Sequence, residues 1–212
     1  MSVFRDLLMT TDKDISLNYL QSTGTQYIDT GITLTQNSNF DLKYELPVLN
    51  AQDFIFGTRN ETGSRVPAHC HFNNSTYGLY YLYDNSDYSR WTNAITQTYP
   101  LQIYLMARYR SVEYRNFERT TAYWTHTYNA RTGDDLGSAT LFAAKRFTTE
   151  SDYDILNAIN VKIYEYIIYD ESDTSIITHH FIPVLHKNIP CMKDEITGEY
   201  YYNVGTGTFL YG

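Results

Sequence analysis

Positive charge, cysteine, proline and long apolar runs are all scarce in this 212-residue chain. Lys and Arg number 16 against 24 Asp and Glu, a formal charge of −8. A sequence-independent grip on nucleic acid needs clustered cations to displace phosphate counterions, and anionic membranes ask for the same, so the balance argues against both partners. No stretch approaches the roughly 18 apolar residues that span a bilayer. The opening MSVFRDLLMTTDKD places Asp6 inside its short apolar stretch and has no small-residue cleavage site. That argues against a secretory signal and for folding in a cytoplasm. The two cysteines, Cys70 and Cys191, make no disulfide framework; they read as separate thiols, partly buried as small apolar side chains. Helical periodicity is nearly missing too. Val3, Phe4, Leu7 and Leu8 share one side of a short helix or apolar arm, and residues 152–157 allow one helical turn.

Tyrosine is abundant, with 22 residues against two Trp and ten Phe. With 42% apolar and 16% aromatic residues the chain can bury enough surface to offset the entropy of ordering, which excludes a disordered tail. A tyrosine ring gives apolar contact while its hydroxyl stays wet, so a Tyr-dominated chain predicts sheets with amphipathic faces. The alternation agrees. Phe40, Leu42, Tyr44 and Leu46 oppose Asp41, Lys43 and Glu45, a half-buried strand. Tyr99, Leu101, Ile103, Leu105, Ala107 and Tyr109 oppose Gln102, Arg108 and Arg110, a longer one. Further β-rich runs occupy 54–57, 76–83, 120–128, 139–145, 161–170 and 175–184, separated by turns such as Asn60-Glu61-Thr62-Gly63 and Asp170-Glu171-Ser172-Asp173. Many short strands with polar turns predict an antiparallel sandwich in one domain, residues 16–212, after a leader of residues 1–15. In 161–170 strict alternation sets Glu165 among Val161, Ile163, Ile167 and Tyr169, with Lys162, Tyr164, Tyr166 and Ile168 opposite. A carboxylate so placed is either a catalytic group or, more plainly, an edge residue or salt-bridge partner.

Two segments resemble a known family. Leu17-Asn18-Tyr19-Leu20-Gln21-Ser22-Thr23-Gly24-Thr25-Gln26-Tyr27-Ile28-Asp29-Thr30-Gly31-Ile32 resembles the opening strand of concanavalin A-like, laminin G-like jelly-roll domains in proteins of tailed phages and prophages. Phe181-Ile182-Pro183-Val184, Met192-Lys193-Asp194, Thr197-Gly198-Glu199-Tyr200-Tyr201 and Asn203-Val204-Gly205-Thr206-Gly207-Thr208-Phe209 are similar to the end of those domains. Phe56-Gly57-Thr58-Arg59, Leu141-Phe142-Ala143 and Lys162-Ile163-Tyr164 support the likeness between them. The resemblance implies an all-β antiparallel jelly roll with a short N-terminal arm, in a virion protein such as a capsid decoration, head fibre or tail-associated module. First and last strands commonly lie close in such sandwiches, so turns at Gly24-Thr25 and at Gly205 to Gly207 are expected to finish one sheet edge together. Their glycines read as turn chemistry, since no helix start follows to present amides to a phosphate.

Catalytic patterns are not found. Laminarinase-like hydrolases of this fold carry E-x-D-x-x-E on one strand, so that acid and nucleophile flank the bond. Here Glu113 and Glu118 fall on opposite faces by spacing, and Asp152 and Asp154 read as loop charges. His69-Cys70-His71 invites a metal, but further ligands are absent nearby, and His179, His180 and His186 are dispersed. No cofactor is expected, with calcium the alternative: Asp84, Asp87, Asp134 and Asp135 offer hard oxygens in loops, yet acidic turns also simply solubilise. The strongest ligand reading is a glycan, whose C–H faces stack on rings. Tyr80, Tyr83, Tyr88 and Trp91 cluster with Asp84 and Asn85, and Trp124 heads a second group. The alternative is that these rings fill the core or a subunit interface.

The expectation is therefore a non-enzymatic virion structural protein made in the host cytoplasm and displayed on the particle. Its arm, Val3, Phe4, Leu7, Leu8 and Met9, would insert into a capsid or tail subunit. Homo-oligomers, trimers by analogy with phage fibres, are expected. The alternative is a lectin-like adhesion module for host-surface glycans; a glycan hydrolase ranks below both.

Overall fold

The computed structural model describes residues 13–48, 53–60, 70–74, 78–82, 88–129, 137–149, 152–156 and 160–212. In chain order the strands are β1 (Ile15–Ser16), β2 (Leu20–Gln21), β3 (Ile28–Thr33), β4 (Asn39–Leu46), β5 (Asp53–Asn60), β6 (Cys70–Asn74), β7 (Gly78–Leu82), β8 (Tyr88–Trp91), β9 (Leu101–Arg108) and β10 (Ser111–Arg115). They continue with β11 (Ala122–Thr127), β12 (Ser138–Leu141), β13 (Ala144–Thr149), β14 (Asp152–Leu156), β15 (Lys162–Tyr169), β16 (Ile177–His186), β17 (Ile189–Asp194), β18 (Tyr200–Tyr201) and β19 (Leu210–Tyr211). One 3-10 turn, Thr92–Thr96, is the only helical element among the described residues, so no helix there is long and apolar enough to cross a membrane.

The larger sheet runs β11-β10-β9-β4-β15-β16-β17-β18, with β1 on β16, β2 on β15 and β19 on β2. The smaller runs β14-β13-β5-β6-β7-β8, with β12 joining β3 and β5. Among the described residues every strand pairing is antiparallel except that of β13 with β5. The two sheets pack face to face in a sandwich-like, all-β fold. Phe40 of β4 meets Phe56 of β5 edge-on at 5.0 Å and Tyr81 of β7 at 6.2 Å, and Phe56 lies 5.8 Å from Tyr166 of β15.

The strand over 40–46 forms as its alternation predicts. Phe40, Leu42, Tyr44 and Leu46 are buried and face Ala107, Leu105, Ile103 and Leu101 in register on β9. Each large buried side chain contributes about 1.5–3 kcal/mol relative to exposure, which makes β4 and β9 the anchor of the larger sheet. The tyrosines go further inside than expected. Tyr44, Tyr81, Tyr104, Tyr114, Tyr128 and Tyr166 are buried almost completely, so these hydroxyls do not stay wet. Burial pushes the Tyr44 and Tyr114 hydroxyls far above the ordinary phenol range. Cys191 is also buried and free, and burial pushes its thiol up to about 11, which makes it inert. The Cys70 side chain lies outside the described residues.

Three local expectations are corrected. Residues 152–156 are strand β14, paired with β13 from Ala144↔Leu156 to Thr149↔Asp152, rather than a helical turn or loop charges. The run 139–145 is two strands, because Phe142 takes a left-handed conformation (φ 71°) that breaks it. In β15 a bulge between Ile163 and Glu165 shifts the alternation by one residue. Ile163, Tyr166 and Ile168 therefore face the core, and Glu165 joins Lys162 and Tyr164 on the opposite side.

The turns near the two ends of the sequence meet. Val204 donates to the Tyr27 carbonyl (2.9 Å) and Thr206 to the Thr25 carbonyl (3.2 Å), while the Gln26 side chain donates to the Thr206 carbonyl (3.0 Å). The Gly212 carbonyl accepts from Asn18 (2.5 Å) and Tyr19 (3.2 Å). Of the arm, residues 1–12, including Val3, Phe4, Leu7, Leu8 and Met9, lie outside the described residues. Asp14 accepts from Lys193 and Tyr200 (2.7 and 2.8 Å) with His186 at 2.8 Å, and Ile15 pairs with Leu185.

Candidate functional site

The outer face of the larger sheet brings together several charged and aromatic side chains. It follows from alternation: with Phe40 to Leu46 turned inward, β4 presents Asp41, Lys43 and Glu45 outward, opposite Met106, Tyr104 and Gln102 of β9. The bulge in β15 adds Tyr164 and Glu165 beside Lys43, and β16 brings His180 alongside. The loop after β1 lays Tyr19 against Tyr164 (ring centroids 5.7 Å), and the β10–β11 turn lays Phe117 against the same ring (5.0 Å, edge-on).

Between them lies an open pocket of about 560 Å³, lined by Leu17, Asn18, Tyr19, Lys43, Tyr164 and Glu165. Lys43 Nζ stands 4.8 Å above the Phe117 ring and Lys162 Nζ 4.8 Å above Tyr19. The carboxylates are fixed. Asp41, buried, accepts from Tyr104 (2.8 Å), Tyr169 (2.7 Å) and Arg108 (2.6 Å). Glu45 accepts from Lys162 (2.7 Å), Gln102 (3.0 Å) and Tyr164 (3.3 Å). Burial opposes its ionisation, but these donors outweigh it and hold the carboxyl below the usual range. Glu165 lies 2.8 Å from His180 Nε2, and that contact, against the pull of burial, lowers Glu165 and raises His180. Glu165 thus has a partner within ion-pair distance, the contact that one of its two sequence readings expects.

Half-buried rings beside rigid donors and acceptors suit a polyhydroxylated ligand. The sequence did not mark this site, because Tyr19, Lys43, Phe117 and Tyr164 come from four distant segments. Only the presence of Tyr19 and Tyr164 inside the family-like stretches hinted at it.

The aromatic residues marked from sequence divide. Trp91 is 3% exposed and sandwiched against Tyr123 (5.2 Å, stacked) and Tyr114 (5.6 Å), so it has the core role and no ring face for a sugar. Trp124 is half-buried against the core and His126. Tyr80 is half-buried on β7, and Tyr88 belongs to β8. Tyr83, Asp84, Asn85, Asp87, Asp134 and Asp135 lie outside the described residues, as does His69. The acidic turn at Asp170-Glu171-Ser172-Asp173 is organised by its own hydrogen bonds: Asp170 accepts from the Ser172 and Asp173 amides and Asp173 from the Ser175 amide. Among the described residues no three His, Cys, Asp or Glu side chains converge as a metal site. The histidines of β16 each meet carboxylates instead: His179 with Asp194, His180 with Glu165 and Glu195, His186 with Asp14.

No protein-family model matches the chain, and no curated protein matches it.

Proposed function

We propose that the chain is a non-enzymatic module of a tailed-phage virion, built as a jelly roll, that meets glycans with the outer face of its larger sheet. The pocket at Tyr19, Lys43, Tyr164 and Glu165 carries the glycan part of this reading. Binding rather than hydrolysis is supported by the carboxylates around it. Fixed donors hold Glu45 and Glu165 on the acidic side of their ordinary range, whereas a glycosidase needs one carboxyl raised enough to deliver a proton. On a glycan array the full chain is expected to bind. Tyr164→Ala is expected to weaken the best ligand about tenfold with the circular-dichroism spectrum unchanged. An array with no sugar bound removes the glycan reading.

The virion setting rests on the resemblance of residues 17–32 and 181–209, which are neighbours in the fold. In this setting the module is displayed on the particle in homo-oligomers, held to a capsid or tail subunit by Val3, Phe4, Leu7, Leu8 and Met9. Deleting residues 2–12 is expected to leave a folded domain that is missing from purified particles. A truncation that unfolds, or one that still joins the particle, counts against the arm.

A further inference from the structure

We infer that the ligand of the outer-face pocket is an acidic sugar chain, one whose units carry a carboxylate or a phosphate. The inference deepens the glycan reading and rests on it. Its basis is an imbalance of pairing on one face. Lys162 is matched by Glu45 at 2.7 Å, Arg108 by Asp41 at 2.6 Å and Arg115 by Glu113 at 2.6 Å. Among the described residues Lys43 and Arg119 have no carboxylate within ion-pair distance.

Both of these cations rest on rings instead. Lys43 lies over Phe117, and the Arg119 guanidinium lies 3.8 Å from the centre of the Tyr104 ring while donating to the Tyr104 hydroxyl. A ring orients a cation without cancelling its charge. The two are neighbours, because Tyr104 stands directly opposite Lys43 across the β4–β9 ladder.

Glu165 feels both charges, but another partner engages it directly. Glu165 is opposite Lys43 on β15, but its carboxylate already meets His180 Nε2, and His180 Nδ1 faces Glu195 at 3.1 Å. The two carboxylates both favour the protonated imidazole, with the Glu165 contact the larger cause. Asp194, behind His180, is occupied by backbone amides and His179. Lys43 and Arg119 therefore keep their charge without an ion-pair partner among the described residues, in a chain whose overall charge is −8. A sugar stacked on Tyr19 and Tyr164 would bring its substituents over Lys43. A neutral sugar would strip water from that ammonium without returning a charge, while an acidic one would complete the pair.

A uronic acid and a sugar-phosphate chain share this chemistry, and titration calorimetry on the full chain separates them. The probes are tetragalacturonate, neutral tetragalactose and a glycerol-phosphate oligomer. At least one acidic probe is expected to bind about tenfold or more tighter than tetragalactose, and to weaken as NaCl is raised. Arg119→Gln, at an exposed position outside the pocket lining, should remove most of that difference and leave the affinity for tetragalactose unchanged, and Lys43→Gln, inside the pocket, should remove most of it as well. If tetragalactose binds as tightly as both acidic probes, or if the two variants leave the preference intact, the inference fails and the glycan reading stands. If no probe binds and the glycan array is also blank, both fall together.

Discussion

Asp194→Ala is expected to remove about 3–5 kcal/mol of folding stability, a large share of the roughly 5–15 kcal/mol that holds a typical domain together. Asp194 is fully buried, and each of its oxygens has two partners. Oδ1 accepts from the His180 amide (2.9 Å) and the Ile196 amide (3.0 Å); Oδ2 accepts from the Thr197 hydroxyl (2.9 Å) and lies 2.8 Å from His179 Nδ1. Truncation would leave the partly buried His180 and Ile196 amides without their shared acceptor at the turn that leads from β17 to β18. The pH dependence follows from the same contacts. Burial works against the ionised form, but the four partners outweigh it and hold the carboxyl below its ordinary value. The stabilisation is therefore full above the unfolded-chain pKa of about 3.9 and is lost as pH falls through the lower folded value. Urea unfolding should show a wide gap between the natural chain and Asp194→Ala at pH 7 and a narrower one at pH 3. A gap below about 1 kcal/mol at pH 7, within the range of an ordinary neutral hydrogen bond, would mean the carboxylate is not the organising group.

Gly205→Ala should lower stability by about 3 kcal/mol, or about 6–12 °C in Tm for a chain of this size. A Cβ at position 205 would lie 2.0 Å from the Thr25 carbonyl oxygen and 3.1 Å from the Tyr27 ring. The obstruction is backbone and cannot swing aside. The turn would have to lift, breaking the bonds from Val204 to Tyr27 and from Thr206 to Thr25. Calorimetric melting measures the loss, and hydrogen exchange should show faster exchange at the Val204 and Thr206 amides. Unchanged protection at both amides would show that the turn absorbs the methyl group without opening.

These two residues mark how far the sequence could be read. The Gly24-Thr25 and Gly205 to Gly207 turns meet as their chemistry predicted, because a glycine that must admit a backbone close by leaves a visible trace. The strands over 40–46 and 101–108 were equally legible, since period two over several residues admits one burial pattern. Asp194 was visible as part of a family-like segment, but its role depends on His179 and His180 across the β16–β17 ladder. Glu165 was misplaced by one residue, because a bulge adds no distinctive residue type. The sequence leaves Trp91 open between a glycan-facing ring and a core or interface ring, because Tyr123, which covers it, comes from another strand. The pocket was the least legible feature, as four segments supply it and none carries its pattern alone.

The pairing of β4 with β15 also sets a schedule for synthesis. Glu45 and Lys162 are partners across that ladder and 117 residues apart in the chain. At ribosomal rates of about 5–20 residues per second, roughly 6–23 s pass between the emergence of the two. For about the first half of that interval β4 has neither neighbour, and once β9 has emerged it still has no β15 on its other side. The nascent chain therefore carries an open apolar strand edge until most of its length has left the ribosome, so its yield should depend on chaperone capacity more steeply than its final stability would indicate.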